Sequence, residues 1–184
     1  MQFYELQIAG LTRRLPLCRV NDELQIAAFV MFGDVEVTVK GAEELLRLAP
    51  EFDVLITNEA KGIPLAYEMA RAAGKPYCVA RKGKKLYMPD SISVDVKSMT
   101  TMSMQTLIIS SDEAAVLNGK RVLLVDDVIS TGDSLAALER LVEMSGGVIA
   151  GRAAVLSEGG ANKRDDIICL GRLPLFGNDG RALS

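Results

Sequence analysis

Residues 122–134 read VLLVDDVISTGDS, and the order of residue types in this stretch decides the fold. Val122 to Val125 form a short, uninterrupted apolar run of the kind found in a parallel strand buried on both faces. Asp126 and Asp127 close it, which places two carboxylates at the carboxyl end of a buried strand, where open α/β sheets bind their ligands. The loop Ser130-Thr131-Gly132-Asp133-Ser134 follows and opens a helix expected to run to about Ser145. Its hydroxyls, and a glycine without a Cβ, let backbone amides approach an anion at a helix N-terminus. Each hydrogen bond to a charged phosphate oxygen contributes roughly 1.5–3 kcal/mol. The segment therefore predicts a phosphate cradle beside a carboxylate pair. An ordinary strand-to-helix turn is the alternative, but helix capping alone needs no second carboxylate.

Upstream, the chain reads as further strands and helices in alternation. FYELQI and LTRRLPLCRV flank Ala9-Gly10 as a hairpin, and ELQIAAFVMF follows Asn21-Asp22 as a further strand-like run. Thr38 is expected to cap a helix through Ala49, with Leu45, Leu46, Leu48 and Ala49 as its apolar stripe. DVLITN predicts a strand, Pro64 the first turn of a helix to about Ala73, and PYCVAR the next strand. SISVDV and SMQTLIIS are two β-like pieces ending at Ser110, and VIAGRAAVL and IICLG are strands after the Gly146-Gly147 break. Strand, loop and helix in repeated order predict a parallel sheet with right-handed crossovers and helices on both faces.

Composition narrows the chemistry. The 184 residues, 49% hydrophobic and 24% charged, suit one domain spanning the whole chain. The chain has no histidine, so Ser-His-Asp and Cys-His systems and most zinc sites are excluded. A net charge of −3 without a long basic run gives no electrostatic source for nucleic-acid binding. No apolar run reaches the roughly 20 residues of a bilayer span, and the N-terminus lacks a signal-peptide pattern, so a cytoplasmic protein without a membrane partner is expected. Cys18, Cys78 and Cys169 lie far apart among apolar residues and read as core positions, with no protein metal cage in view.

The 122–134 stretch resembles the signature of type I phosphoribosyltransferases, two acidic residues followed by a threonine-glycine phosphate loop; neither GxxxxGK[ST] nor GxGxxG occurs in the chain. The resemblance implies a parallel-sheet type I phosphoribosyltransferase fold with a β flap and a small hood built from both termini. It implies phosphoribosyl diphosphate and a nucleobase as substrates, Mg²⁺ as cofactor, and a homodimer. Under it, Asp126 and Asp127 hold the ribose hydroxyls, Ser130, Thr131, Gly132, Asp133 and Ser134 wrap the 5-phosphate, and Val128 lies under the base. Glu59-Ala60-Lys61-Gly62 resembles the pyrophosphate loop, which in adenine enzymes reads Glu-Ala-Arg-Gly; lysine there is a point charge where arginine is a fork. Arg81-Lys82-Gly83-Lys84-Lys85 resembles the adenine enzymes' basic region, so Arg81, Lys82 and Lys85 are expected to face the diphosphate. Residues 1–37 would form the hood segment, and residues 81–110 a flexible basic loop and flap that excludes water.

The acceptor base follows less directly. Ser130 stands where hypoxanthine-guanine enzymes carry an aspartate and adenine enzymes an alanine, which points away from the hypoxanthine-guanine branch. Adenine enzymes also use a flap glutamate near the base, yet Val96 to Ser111 contains no acidic residue. Asp90, Asp95 and Glu158 are the candidate stand-ins. Xanthine or orotate as acceptor remain open, as does a non-catalytic sensor of phosphoribosyl diphosphate, since KGIPLAYEMA also resembles the purine-operon repressor.

Overall fold

The computed structural model describes residues 2–97 and 104–183. Its central strand is Arg121–Ile129, flanked in the order given below by strands that all run parallel to it. In chain order the elements are β1 (Phe3–Ile8), β2 (Leu11–Arg19), β3 (Gln25–Ala27), α1 (Val35–Leu48), β4 (Val54–Asn58), α2 (Ile63–Ala73), β5 (Tyr77–Ala80), β6 (Ser91–Lys97), β7 (Met104–Ser110), α3 (Ser111–Leu117), β8 (Arg121–Ile129), α4 (Asp133–Met144), β9 (Val148–Glu158), β10 (Ile168–Leu173) and β11 (Leu175–Phe176). The main sheet runs β10-β9-β8-β4-β5. Every residue of β4 is buried, as are Val122 to Val125 of β8, which is why both read as apolar runs rather than alternations. From β4 the chain moves outward to β5, whereas from β8 it moves the other way through β9 to β10. The carboxyl ends of β4 and β8 therefore border the crevice where the direction of winding switches.

Helices cover both faces, as the element order predicts. On one face Val37, Ala42 and Leu45 of α1 and Leu65 and Met69 of α2 pack on Leu55, Leu123 and Val155. On the other, Ala114 and Leu117 of α3 and Leu138 and Leu141 of α4 pack on Ile56, Leu124 and Ala154, together with Val94, Leu107 and Ile109 of the β6–β7 hairpin. A separate four-stranded sheet, β1-β2-β3-β11, joins the first strands to the C-terminal Leu175-Phe176. Arg13 of β2 pins this sheet to α1 through Asp34 at 2.6 and 3.0 Å.

Several expectations differ from the structure. Cys18, expected in the core, is exposed near the end of β2. α1 begins a turn before Thr38 and is capped by Asp34, whose carboxylate accepts from Val37 N; Thr38 lies in the first turn and its hydroxyl donates to Asp34 O. The β-branched Val35 and Val37 resemble strand residues, but the Asp34 cap and the burial of Val37 decide for helix, while Val35 stays exposed. The helix buries Val37, Thr38, Gly41, Ala42 and Leu45, while Leu48 is 57% exposed, so the stripe lies further N-terminal than Leu45-Leu46-Leu48-Ala49. In ELQIAAFVMF only Gln25–Ala27 pair as a strand; Phe29 and Met31 are buried and Val30 and Phe32 exposed, an alternation without ladder partners. The helix α3 was unanticipated, although Ser110 and Glu113 form a complete capping box and announce it in sequence. The flap residues Met99, Thr100, Thr101 and Met102 lie outside the described residues.

Candidate active site

Four helices begin in different ways, and the difference marks the site. α1 and α3, which do not line the crevice, are capped by the side chains of Asp34 and Ser110. α2 and α4 start at Gly62 and Gly132, and neither has a side-chain cap. At the second of these, Thr131 Oγ1 is 3.5 Å from Asp133 N, beyond a good hydrogen bond, and its hydroxyl donates instead to Asp133 Oδ2 at 2.8 Å. First-turn N–H groups at the mouth of the crevice are thus left for an anion. Gly132 takes φ +88°, a conformation that L side chains rarely adopt.

Between these helix starts lies a cleft of about 290 Å³, walled by Asn58, Glu59, Ala60, Lys61, Lys82, Leu107, Asp126, Asp127, Val128 and Ser134. It continues into a pocket of about 60 Å³ formed by Ser130, Thr131, Gly132 and Ser134. The loops after β4 and β8 touch directly. Asn58 Nδ2 donates to Asp126 Oδ2 at 3.1 Å, and Asp127 N donates to Asp126 Oδ1 at 2.9 Å. A Cβ on Gly62 would stand 2.3 Å from Thr57 Oγ1 and 2.9 Å from Asp126 Oδ1, so only glycine lets the loop approach this closely. The Glu59–Ala60 peptide is cis.

The carboxylate pair is electrostatically loaded. Burial, reinforced by the neighbouring Asp127 charge, pushes the Asp126 carboxyl well above the usual range; Asp127 N and Asn58 oppose this. Asp127 is 4% exposed, and its Oδ2 accepts no hydrogen bond among the described residues. Its nearest cation is Lys61 Nζ at 3.6 Å, on a half-exposed side chain. A buried carboxylate oxygen without a donor carries a desolvation cost that a ligand can relieve. Glu59 accepts from Lys82 N at 3.0 Å, which, with the charges of Lys85, Arg81 and Lys82, holds its carboxyl below the usual value. That bond ties the basic loop to the end of β4 and sets Lys82 at the cleft.

The two signature loops meet as the sequence suggests, and the basic run is only partly gathered in. Lys82 lines the cleft. Arg81 is held as a backbone bridge to Ile108, its N and O each bonded at 2.8 Å, and neither it nor Lys85 is part of the cleft wall. Lys84 turns to Pro89 O at 2.8 Å. Asn58 and Leu107 are site residues that sequence reasoning missed; Asn58 is signalled only by its place at a strand end beside the Glu59 loop. Of the three possible stand-ins for the flap acid, Asp90 and Asp95 are exposed, the latter accepting from Thr106 Oγ1 across the hairpin, whereas Glu158 is buried.

The residues suit a metal carried in on a diphosphate better than a resident one. Among the described residues no three histidine, cysteine or carboxylate groups converge on one point. Mg²⁺ asks for less than that, since one or two carboxylates complete a shell otherwise made of phosphate and water, and Asp127 Oδ2 is free for such contact.

Comparison with known proteins agrees with this geometry. The family model described as a phosphoribosyl transferase domain matches residues 40–173. An adenine phosphoribosyltransferase of Desulforamulus reducens is 33% identical over 139 residues, covering 74% of this chain and 78% of the relative. A xanthine phosphoribosyltransferase of Exiguobacterium sp. is 34% identical over 119 residues, or 64% and 61% of the two chains. The crystal structure of the adenine phosphoribosyltransferase from Thermoanaerobacter pseudethanolicus superposes with a TM-score of 0.67 at 28% identity, covering 77% of this chain and 84% of that one. With the matched segment spanning both signature loops and most of the main sheet, the chain belongs to the phosphoribosyltransferase family.

Proposed function

We propose that this chain transfers ribose 5-phosphate from phosphoribosyl diphosphate to a purine base, adenine before others, releasing pyrophosphate and the nucleoside monophosphate in purine salvage. The observation that carries the reading is the convergence of two uncapped helix starts on a carboxylate pair, Asp127 buried and Asp126 half-buried. A sugar with a phosphate at each end and hydroxyls between is the ligand that answers all three features. The adenine phosphoribosyltransferases among the similar proteins support adenine as acceptor, and Ser130 in place of an aspartate speaks against hypoxanthine and guanine.

In the mechanism, the amides of Ser130 to Ser134 receive the 5-phosphate, and Asp126 and Asp127 anchor the ribose hydroxyls. Val128, which lines the cleft, forms the floor for the base. Lys61 and Lys82 stand where negative charge grows as the diphosphate departs, and Arg81 and Lys85 add to the positive field. Mg²⁺, held by Asp126 or Asp127 together with the substrate's own oxygens, would supply charge neutralisation of the leaving diphosphate. Displacement at the anomeric carbon passes through ribosyl cation character, so water must be kept out; the β6–β7 hairpin, with Leu107 at the cleft, is placed for that. No histidine is required at any point.

The chain is proposed to act as one domain, with the β1-β2-β3-β11 sheet as hood over the base. It is further proposed to be a cytoplasmic homodimer; no described helix is long and apolar enough to cross a membrane. The exposed Tyr67, Tyr77, Leu86 and Tyr87 support self-association. One observation favours a second reading, a sensor that binds phosphoribosyl diphosphate without reacting: the absence of any acid from Val96 to Ser111. Incubation with phosphoribosyl diphosphate, Mg²⁺ and, in turn, adenine, hypoxanthine, guanine, xanthine and orotate separates the two. The enzyme reading expects AMP as the main chromatographic product; binding without a nucleotide from any base would establish the sensor.

A further inference from the structure

Glu158 is a carboxyl group that the mechanism above leaves unused, and its position is unusual. It is the last residue of β9, at the same carboxyl edge of the sheet as Asp126 and Asp127, and is only 8% exposed. Among the described residues its side chain has no hydrogen-bond or ion-pair partner. The residue is largely covered, yet its carboxylate oxygens are not sealed off, since the fully buried, donor-free oxygen among the described residues is Asp127 Oδ2; a ligand group can therefore reach the Glu158 carboxyl. Burial raises its pKa, while the charge of Lys61, one of the two lysines of the cleft wall, acts on it in the opposite sense. The surrounding chain fixes its place between two working parts. On one side, the preceding Ser157 is in register with Ile129 of β8, and the 3-10 turn that follows (Gly159–Lys163) returns to the phosphate loop, Ala161 N donating to Ser130 O at 2.9 Å. On the other, Glu158 pairs with Leu173, two residues before β11 enters the hood sheet, and a Cβ on Gly159 would meet Leu175 at 3.6 Å.

We propose that Glu158 is the base-recognising acid of this protein, its carboxyl accepting a hydrogen bond from the exocyclic amino group of adenine between the phosphate loop and the hood. This rests on the phosphoribosyl-transfer reading above and adds the residue that selects the base. A carboxyl group accepts from an amine and, where it keeps its proton, also donates to an adjacent ring nitrogen. The acid that the flap lacks is thereby supplied from the sheet. Asp90 and Asp95 do not serve, because both are solvent-exposed and Asp95 is engaged across its own hairpin.

The test is steady-state kinetics of Glu158→Ala and the isosteric Glu158→Gln with adenine, unsubstituted purine and hypoxanthine as acceptors. Loss of one charge-assisted hydrogen bond predicts that Glu158→Ala raises the KM for adenine by roughly 10- to 100-fold. The KM for phosphoribosyl diphosphate should stay within about twofold, because Glu158 touches neither phosphate loop contact. Preference for adenine over purine, which lacks the amino group, should collapse in Glu158→Ala and survive in part in Glu158→Gln, whose amide oxygen still accepts. A structural role alone would lower stability without moving that preference. Unchanged adenine KM and unchanged preference in folded Glu158→Gln and Glu158→Ala overturn the assignment while leaving the enzyme reading intact. Failure of the parent itself to form AMP overturns the enzyme reading and, with it, this assignment.

Discussion

Replacing Gly62 with alanine tests the contact between the two signature loops. The added methyl would sit 2.3 Å from Thr57 Oγ1, 2.9 Å from Asp126 Oδ1 and 3.2 Å from Asp126 Cα. Thr57 is fully buried on β4 and Asp126 Cα is backbone, so neither neighbour can swing aside. Ordinary contact begins at 3.4 Å, so the loop must retreat by about 1 Å. Overpacking of this kind costs roughly 1–3 kcal/mol, which for a domain of this size lowers Tm by roughly 2–12 °C. Function should suffer more than stability, because the same retreat carries Asn58 off Asp126 and Lys61 off Asp127, now 3.1 and 3.6 Å apart. A 1 Å misplacement of positioning groups can cost about 100-fold in rate. The assay is AMP formation under kcat/KM conditions for phosphoribosyl diphosphate, with Gly41→Ala as control. That glycine lies mid-helix with its nearest neighbour at 3.5 Å, and alanine there should be neutral or stabilising. Parent-like turnover by Gly62→Ala, with an unchanged melting curve, would refute the claim that close loop approach builds the site.

Three other perturbations have worked-out outcomes. Asp127→Asn should lose at least 100-fold in turnover yet melt no lower than the parent, since it removes a buried, donor-free carboxylate oxygen beside Asp126; a large fall in Tm at retained activity would contradict this. Asp34→Ala removes the α1 cap and the Arg13 pair and should cost about 1 kcal/mol, read as roughly 2–4 °C in Tm at pH 7. The Asp34 carboxyl is held low by Arg13, so its contribution is complete above roughly pH 4, the unfolded value, and fades as pH falls through the lower folded value; the parent and variant curves should converge only in acid. Among the thiols, exposed Cys18 should react promptly with a disulfide reagent at pH 8, whereas Cys78, buried and pushed up to about 12, should react only on unfolding; fast labelling of Cys78 in the folded protein would refute its placement.

The central strand and both βα loops were legible in sequence because buried parallel strands and glycine-bearing helix starts leave local marks: VLLVDD and VLITN are apolar runs ended by polar residues, and Gly62 and Gly132 follow them. The start of α1 was less legible, since Val35 and Val37 favour strand locally, and what makes them helical is the Asp34 cap together with the packing of Val37 and the residues after it on the sheet face. The short helix α3 carried its signal in Ser110 and Glu113, but lay behind a β-rich stretch that masked it. Within the site, Asp126 and Asp127 announce themselves by adjacency. Glu158 does not, because what separates it from Asp90 and Asp95 is burial beside the hood, a property of strand pairing across distant parts of the chain. The basic run misleads in the opposite way: four neighbouring cations look equivalent, yet the Arg81 bridge and the Glu59–Lys82 bond admit only Lys82 to the cleft wall.

Phosphorus NMR of the protein mixed with phosphoribosyl diphosphate, Mg²⁺ and adenine tests the central claim most directly, because it follows both ends of the sugar in one sample. The account predicts that the diphosphate resonances of the substrate give way to free pyrophosphate while the 5-phosphate signal moves to that of AMP, with conversion lost in Asp127→Asn. Resonances that shift or broaden on binding but are never consumed, with any base present, would contradict it.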